Sequence, residues 1–361
     1  MKLGMKWAAS AAVVVLGLGG MAAHAQPDVK VGFVYVSPLG EAGWSHQHEL
    51  GRQALEAALG TQVETRYVDN VSEGADAERV IREFASSGND LVIATSFGYM
   101  NYVERISQEF PDVQFLHATG YKDGPNFANY NARFYEGRYL TGVIAGHMSE
   151  TETLGYVAAV PIPEVVQGIN AFTRGARSVN PAIEVRVIWT NSWYDPGRER
   201  EAANTLLAQG ADVLTHHTDS TAVVQAVEDS ERAAWGIGYH SDMSAFGPET
   251  HLTATTHHWG DYYVDVVESV IEGDYAPSNL WGGHAEGMID IAPLNDAIPA
   301  AVAAEIEAMQ ASMRDGDFHP FTGPVVNQAG ETLLEAGEVM TDSDLNQMNY
   351  FVEGVASEFP N

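Results

Sequence analysis

Apolar residues in this chain recur in two rhythms that alternate. Short continuous apolar runs, such as "DLVIAT" at residues 90–95, read as strands covered on both faces. Between them lie longer stretches whose apolar positions return every three or four residues, the period of a helix with one buried stripe. Strands are expected at Lys30–Val36, Val63–Val68, Asp90–Thr95, Val113–Ala118, Leu154–Val160, Glu184–Trp189, Val213–His216 and Ala234–Tyr239. Helices are expected at Trp44–Leu59, Ala75–Ser86, Tyr99–Glu109, Glu136–Met148, Val165–Ser178, Gly197–Gln209 and Ala222–Ser230. Strands joined through helices imply right-handed crossovers and parallel sheets, an α/β fold.

The series runs twice. "VKVGFVYVSPLGEAGWSHQHELGRQALEAAL" opens the first half with strand, Pro-containing loop and helix, and "TLGYVAAVPIPEVVQGINAFTRGARSVNP" opens the second in the same way. Two doubly wound lobes follow, and ligands in such sheets bind beyond the carboxyl ends of the strands. With two lobes those ends can face each other across a cleft. The tail after Pro293 is less regular, and "HPFTGPVVNQAGE" reads as a hairpin-like turn rather than a third domain.

Composition changes this picture in three ways. Residues 1–25, "MKLGMKWAASAAVVVLGLGGMAAHA", have the form of a secretory leader: Lys2 and Lys6, a short apolar run, then Ala23-His24-Ala25 as a cleavage site. That run is too short to span the roughly 30 Å of a bilayer core. The chain is therefore expected to be exported to the periplasm, beginning near Gln26. With no cysteine in the sequence, disulfides, thiol chemistry and a lipid anchor on cysteine are excluded. Removing the leader takes two lysines and leaves 16 basic against 49 acidic residues, which disfavours nucleic acid or anionic lipid as partner. The acids are dispersed and read as a solvated surface. The 361 residues also exceed what one core usually supports.

Chemistry-bearing residues gather after the strands. Trp44 follows the first, Ser96 and Phe97 the third, and Trp193 the sixth; His216, His217, Thr218 and Asp219 end the seventh, and His240 and Asp242 follow the eighth. Aromatic faces with a few donors and acceptors around them suit a planar polar ligand. "THHTDS" and "TTHHWGD" invite a metal reading, yet adjacent histidines on a strand point to opposite faces, so each pair offers one ligand to a common site. No G-x-S-x-G, cysteine nucleophile, G-x-G-x-x-G or Walker loop is present. The residues look built to bind rather than to react, with no metal or cofactor and no catalytic group expected.

At these segments the chain resembles the BMP (basic membrane protein) family of ABC-transporter substrate-binding proteins. The resemblance is carried by "GFVYVSPLGEAGWSHQHELGR", "EGRYLTGVIAGHMS", "NSWYDPGREREAANTLLAQGADVLTHHTDS" and "GIGYHSD". It implies a type I periplasmic-binding-protein fold: two Rossmann-like lobes, a ligand cleft between them, and three crossings, expected near Asn129–Arg133, Thr253–His258 and Trp281–Gly283. Residues 26–130 with 257–282 would form the N-terminal lobe, and 131–256 with 283–361 the C-terminal lobe. The resemblance places Trp44 and Trp193 on the two faces of a purine, partly exposed when the lobes are open, with Ser96, Phe97, His217, Thr218, Asp219, His240 and Asp242 around it.

Three departures bear on the ligand. His240 stands where the family's nucleoside binders carry an aspartate for the ribose, His257 replaces an expected lysine, and His217-Thr218-Asp219 replaces a Gly-rich loop. An imidazole has one donor and one acceptor and cannot accept from both ribose hydroxyls as a carboxylate does. A purine base, adenine first, is therefore the expected ligand, carried by a monomer to the permease of an inner-membrane ABC importer. Competing expectations are a purine-nucleoside binder, a sensory binding protein and an exported nucleoside hydrolase.

Overall fold

The computed structural model describes residues 27–360, so the expected leader lies outside the described residues. A first series comprises β1 (Val29–Val34), α1 (Trp44–Leu59), β2 (Val63–Val68), α2 (Ala75–Ser86), β3 (Leu91–Ala94), α3 (Met100–Glu109), β4 (Gln114–Ala118) and β5 (Phe127–Ala132). A second follows: α4 (Phe134–Met148), β6 (Thr153–Ala158), α5 (Pro163–Val179), β7 (Glu184–Trp189), α6 (Pro196–Ala208), β8 (Val213–His217), α7 (Ala222–Glu228), β9 (Trp235–His240) and β10 (His251–His257). The chain closes with α8 (Gly260–Glu272), β11 (Leu280–Gly282), β12 (Ile289–Ile291), α9 (Ala300–Arg314), a small hairpin of β13 (Val325–Val326) and β14 (Thr332–Leu334), and α10 (Asp342–Leu345).

The strands form two six-stranded sheets, ordered β11-β5-β4-β3-β1-β2 and β12-β10-β9-β8-β6-β7. All neighbours in both are parallel except the antiparallel pair β10–β12. The chain leaves the first sheet after β5, returns to its side through α8, which packs on α1, and leaves again after β11. Gly51 lets α1 lie against Trp259 and Tyr263, where a Cβ would crowd the Tyr263 ring and the Trp259 Cβ.

Burial explains which elements were legible. Every residue of β3 is buried, as its continuous apolar run implies, while the edge strand β2 exposes its last three positions. On α2, Ala77, Val80, Ile81 and Phe84 are buried at the spacing of one helical stripe. By contrast β10 is fully buried yet reads His-Leu-Thr-Ala-Thr-Thr-His, too polar to announce a core strand. The tail expected to be irregular contains α9, whose alanine-rich sequence buries only Val302, Ile306 and Met313 and so shows a weak stripe. Helices α4 and α5 cross closely because Gly142 and Gly175 lack side chains: a Cβ on either would overlap the Phe172 or Tyr139 carbonyl.

In the first sheet β1 lies between β2 and β3, and in the second β6 lies between β7 and β8. Successive crossovers leave each of these strands in opposite directions, so a crevice opens beyond their carboxyl ends.

Candidate functional site

A partly enclosed cavity lies at these crevices, beyond the strand ends where ligands of such sheets bind. The first half supplies Val36 and Trp44 after β1, Ser96 and Phe97 after β3, and Thr119 after β4. From the second come Glu164 after β6, Trp193 after β7, His217 and Asp219 at and beyond the end of β8, and His240 at the end of β9. Two of these residues hold left-handed backbone, Thr119 at φ 63° and His240 at φ 69°. Side-chain-bearing residues rarely adopt it, and such strain collects where a fold holds a ligand.

The halves meet around the cavity. Ser37 Oγ donates to Asp219 Oδ2 at 2.8 Å, the Gly43 amide to Ser241 Oγ at 2.9 Å, and Trp193 Nε1 to Glu73 Oε1 at 3.0 Å. Gly43, at φ 100°, presses its Cα on the Asp219 carbonyl, where a Cβ would overlap the oxygen.

Trp44 is only 7 % exposed. Its Nε1 donates to the Thr95 carbonyl at 2.7 Å. Its ring meets His48, Trp259 and His240 edge-on, with centroids 4.4, 5.6 and 5.3 Å away. The partial exposure expected of an open cleft is therefore not seen with the halves in contact. Trp193 is half-buried, its carbonyl accepts the Asp219 amide at 2.9 Å, and its ring centroid lies 6.2 Å from that of His217.

The polar groups of the cavity are electrically quiet. Burial pushes the carboxyls of Glu164 and Asp219 up to about 8, with Glu199 and Glu73 adding repulsion at Asp219 against the relief of the Ser37 hydrogen bond. Glu164 opens the first turn of α5, and a helix N-terminus favours the anion by up to ~2 kcal/mol, too little to undo its burial. Burial also holds His217, His240 and His257 well below the usual imidazole range, reinforced by one another and by Arg138. His240 Nε2 lies 3.5 Å from Asp219 Oδ1, and His217 Nε2 lies 3.7 Å from Glu164 Oε1. Between neutral partners these are polar contacts rather than ion pairs. His217 Nδ1 and His240 Nε2 are buried without a hydrogen-bond partner, and such groups in native proteins normally have one. Beneath them Arg138 is fully buried, donates to Thr215 Oγ1 at 3.0 Å and lies over the Tyr239 ring.

Of the residues singled out in the sequence, Trp44, Trp193, Ser96, Phe97, His217, Asp219 and His240 line this cavity. Thr218 and Asp242 do not. Thr218 Oγ1 donates to the buried Glu199 at 2.9 Å, because a carboxyl taken out of water demands donors. Asp242 is exposed, accepts the Ser244 amide at 2.9 Å, and faces a separate surface cleft with His258 and Asp261. Glu164, Thr119 and Val36 were not anticipated. The loop "VPIPE" after β6 carried the same signal as the others, a strand end running through prolines into a helix. Among the described residues no group of three or more potential ligands is gathered for a metal ion, and no helix is long and apolar enough to cross a membrane.

Two lobes of this topology closing on a cleft define a solute-binding protein of the type I periplasmic class. The chain belongs to the Bmp family, described as ABC transporter substrate-binding protein, PnrA-like, whose pattern matches residues 28–312. A purine-binding protein of Brucella abortus is 49 % identical over 95 % of this chain and 97 % of its own. A putative ABC transporter glucose-binding protein of Haloferax volcanii is 36 % identical over 92 % of this chain and 81 % of its own. A solute-binding protein of an ABC transporter system from Aeropyrum pernix shares the fold, with TM-score 0.71 at 18 % identity over 81 % of this chain and 92 % of its own. These relatives and the family are binding proteins, not enzymes.

Proposed function

We propose that the protein captures a free purine base, adenine by preference, in the cavity between Trp44 and Trp193 and delivers it to the permease of an ABC importer. The observation that carries this reading is the cavity itself: one indole from each half, with neutral carboxyls and imidazoles between them. A flat heterocycle offers π-faces to both indoles and alternating donors and acceptors to the polar groups. The 49 % identity to a purine-binding protein supports it.

The glucose reading, prompted by the Haloferax relative, fits less well. Carboxylates that accept from vicinal hydroxyls work as anions, whereas burial keeps the carboxyls here protonated at neutral pH. In the purine reading residues 26–130 with 257–282 close on residues 131–256 with 283–361. The 1–25 leader directs export to the periplasm, and the monomer acts without cofactor or metal.

Thermal unfolding of the purified protein with adenine, hypoxanthine, guanine, adenosine and glucose tests the reading. A ligand at a hundred times its Kd adds about 2.7 kcal/mol of stability. Adenine is expected to raise Tm most, and a rise with glucose alone would overturn the purine assignment.

A further inference from the structure

Glu164 is the cavity residue whose neighbours leave most of its chemistry unused. It follows Pro163 at the start of α5, and its side chain is 13 % exposed. Oε2 accepts only a long hydrogen bond, 3.3 Å, from Asn131 Nδ2. Oε1 stands 3.7 Å from His217 Nε2, beyond hydrogen-bond distance. Asp219 repeats the pattern with its own imidazole: Oδ2 takes the Ser37 hydroxyl, while Oδ1 faces His240 Nε2 at 3.5 Å without a hydrogen bond. The His217 and His240 rings have centroids 5.8 Å apart, so the two carboxyls are set beside different imidazoles and do not share a partner. Both keep one oxygen for a ligand held between Trp44 and Trp193.

We propose that Glu164 pairs with the N9–H and N3 edge of an unsubstituted purine, while Asp219 serves the edge bearing the exocyclic amine, so that Glu164 is the residue that excludes purines substituted at N9. The inference rests on the purine reading above. A carboxyl group accepts from N9–H through one oxygen and, when protonated, donates to N3 through the other. Burial supplies that proton, holding Glu164 up to about 8. In a nucleoside the N9–H is replaced by a carbon, and the ligand leaves Glu164 with no donor to accept from inside a closed site. A site built around hydrogen bonds rejects an analogue that leaves its buried groups unpaired. Exclusion of nucleosides then comes from a lost hydrogen bond at Glu164, in addition to the bulk of a sugar in a cavity lined by His217 and His240.

9-Methyladenine separates these causes, because it removes the N9–H and adds one methyl group rather than a sugar. Adenine and 9-methyladenine would be titrated calorimetrically into the full chain, its Glu164→Gln, Glu164→Ala and Asp219→Asn variants, after circular dichroism confirms that each is folded. The native protein is expected to prefer adenine by at least about tenfold, a 1.4 kcal/mol difference. Glu164→Gln keeps an amide donor and acceptor and should retain part of that preference. Glu164→Ala should lose adenine affinity, leave 9-methyladenine nearly unchanged and bring the ratio close to one. A native ratio near one, a ratio that survives Glu164→Ala, or a ratio that collapses in Asp219→Asn instead would each overturn the assignment while leaving purine binding intact. If neither purine binds the native protein, the purine reading fails and this assignment fails with it.

Discussion

Trp193 donates its indole N–H across the cleft to Glu73 Oε1, 3.0 Å away. The same oxygen accepts the Ser96 hydroxyl at 2.6 Å and the Gly98 amide at 2.8 Å, both from the loop after β3. One carboxylate oxygen on the loop before α2 thus ties an aromatic wall of one half to the backbone of the other. In the proposed hinge closure the Trp193–Glu73 contact is made only in the closed form, which it would therefore stabilise over an open one, as differential affinity requires. In Glu73→Ala all three donors lose their acceptor. Glu73 is exposed, which limits the effect, and ligand affinity should fall about tenfold, mainly through faster dissociation in stopped-flow fluorescence. Glu73→Gln keeps an acceptor oxygen and should lie between.

The two tryptophans should separate in their effect on folding. Stacking on a base is worth roughly 1–3 kcal/mol per face, so Trp44→Ala and Trp193→Ala should each weaken binding by about ten- to a hundredfold. Trp44, however, is buried among His48, Phe134 and Trp259, and truncating a buried Trp costs about 3–5 kcal/mol of stability. The half-buried Trp193 should cost little. Urea denaturation of both variants checks this. Equal midpoints would show that Trp44 does not support the core.

Gly43→Ala addresses closure. Its left-handed φ of 100° strains an alanine, and the new Cβ would overlap the Asp219 carbonyl only when the halves meet. The variant should fold, bind at least about tenfold more weakly, and keep the larger radius of gyration of the open form at ligand concentrations that compact the native protein. Small-angle scattering measures that directly, and normal compaction would mean the contact is not part of closure.

Stability should peak near pH 6.5. Among the described residues nine histidines have depressed pKa values, His117, His251 and His284 at about 4 and His216 at about 3 among them. Below 6.5 the unfolded chain binds protons that the folded chain refuses, so stability falls as pH drops from 6.5 toward those folded values. Four carboxyls are shifted the other way, Glu136 to about 7, Glu164 and Asp219 to about 8, and Glu199 upward. Each holds a proton in the folded state that the unfolded chain has released. Their contribution is therefore present at low pH and is lost as pH rises to about 8. Acid loss dominates because more imidazoles than carboxyls are displaced, by roughly 1.4 kcal/mol per pH unit for each net proton. Denaturant titrations from pH 5 to 8.5 read the curve, and a flat profile would mean the histidines are solvated.

Much of the cavity was legible because an α/β sheet delivers ligand residues at strand carboxyl ends, a position that sequence periodicity locates to within a residue or two. Trp44, Ser96, Trp193 and His240 were found in this way. Which side chain of a loop turns inward is a tertiary matter. Thr218 and Asp219 are neighbours, and the choice between them is made by Glu199 on α6 and Ser37 on the loop after β1. Likewise Ser241 turns to Gly43, while Asp242 caps a turn on the surface. Glu164 was missed although its loop obeys the rule. The strands β5 and β10 were missed because Asn, Thr and His interrupt their apolar pattern, polarity that the part-buried hydrogen bond Asn129 Nδ2 to Lys122 O and the buried one Thr253 Oγ1 to Ala292 O accommodate.

The most direct measurement is a calorimetric titration of adenine and adenosine into ligand-free protein at pH 7. Base recognition between Trp44 and Trp193, with His240 lining the same cavity, requires adenine to bind more tightly by at least about tenfold, or 1.4 kcal/mol. Equal affinity for the two would make the protein a nucleoside binder, and heat from neither would remove purines from its function altogether.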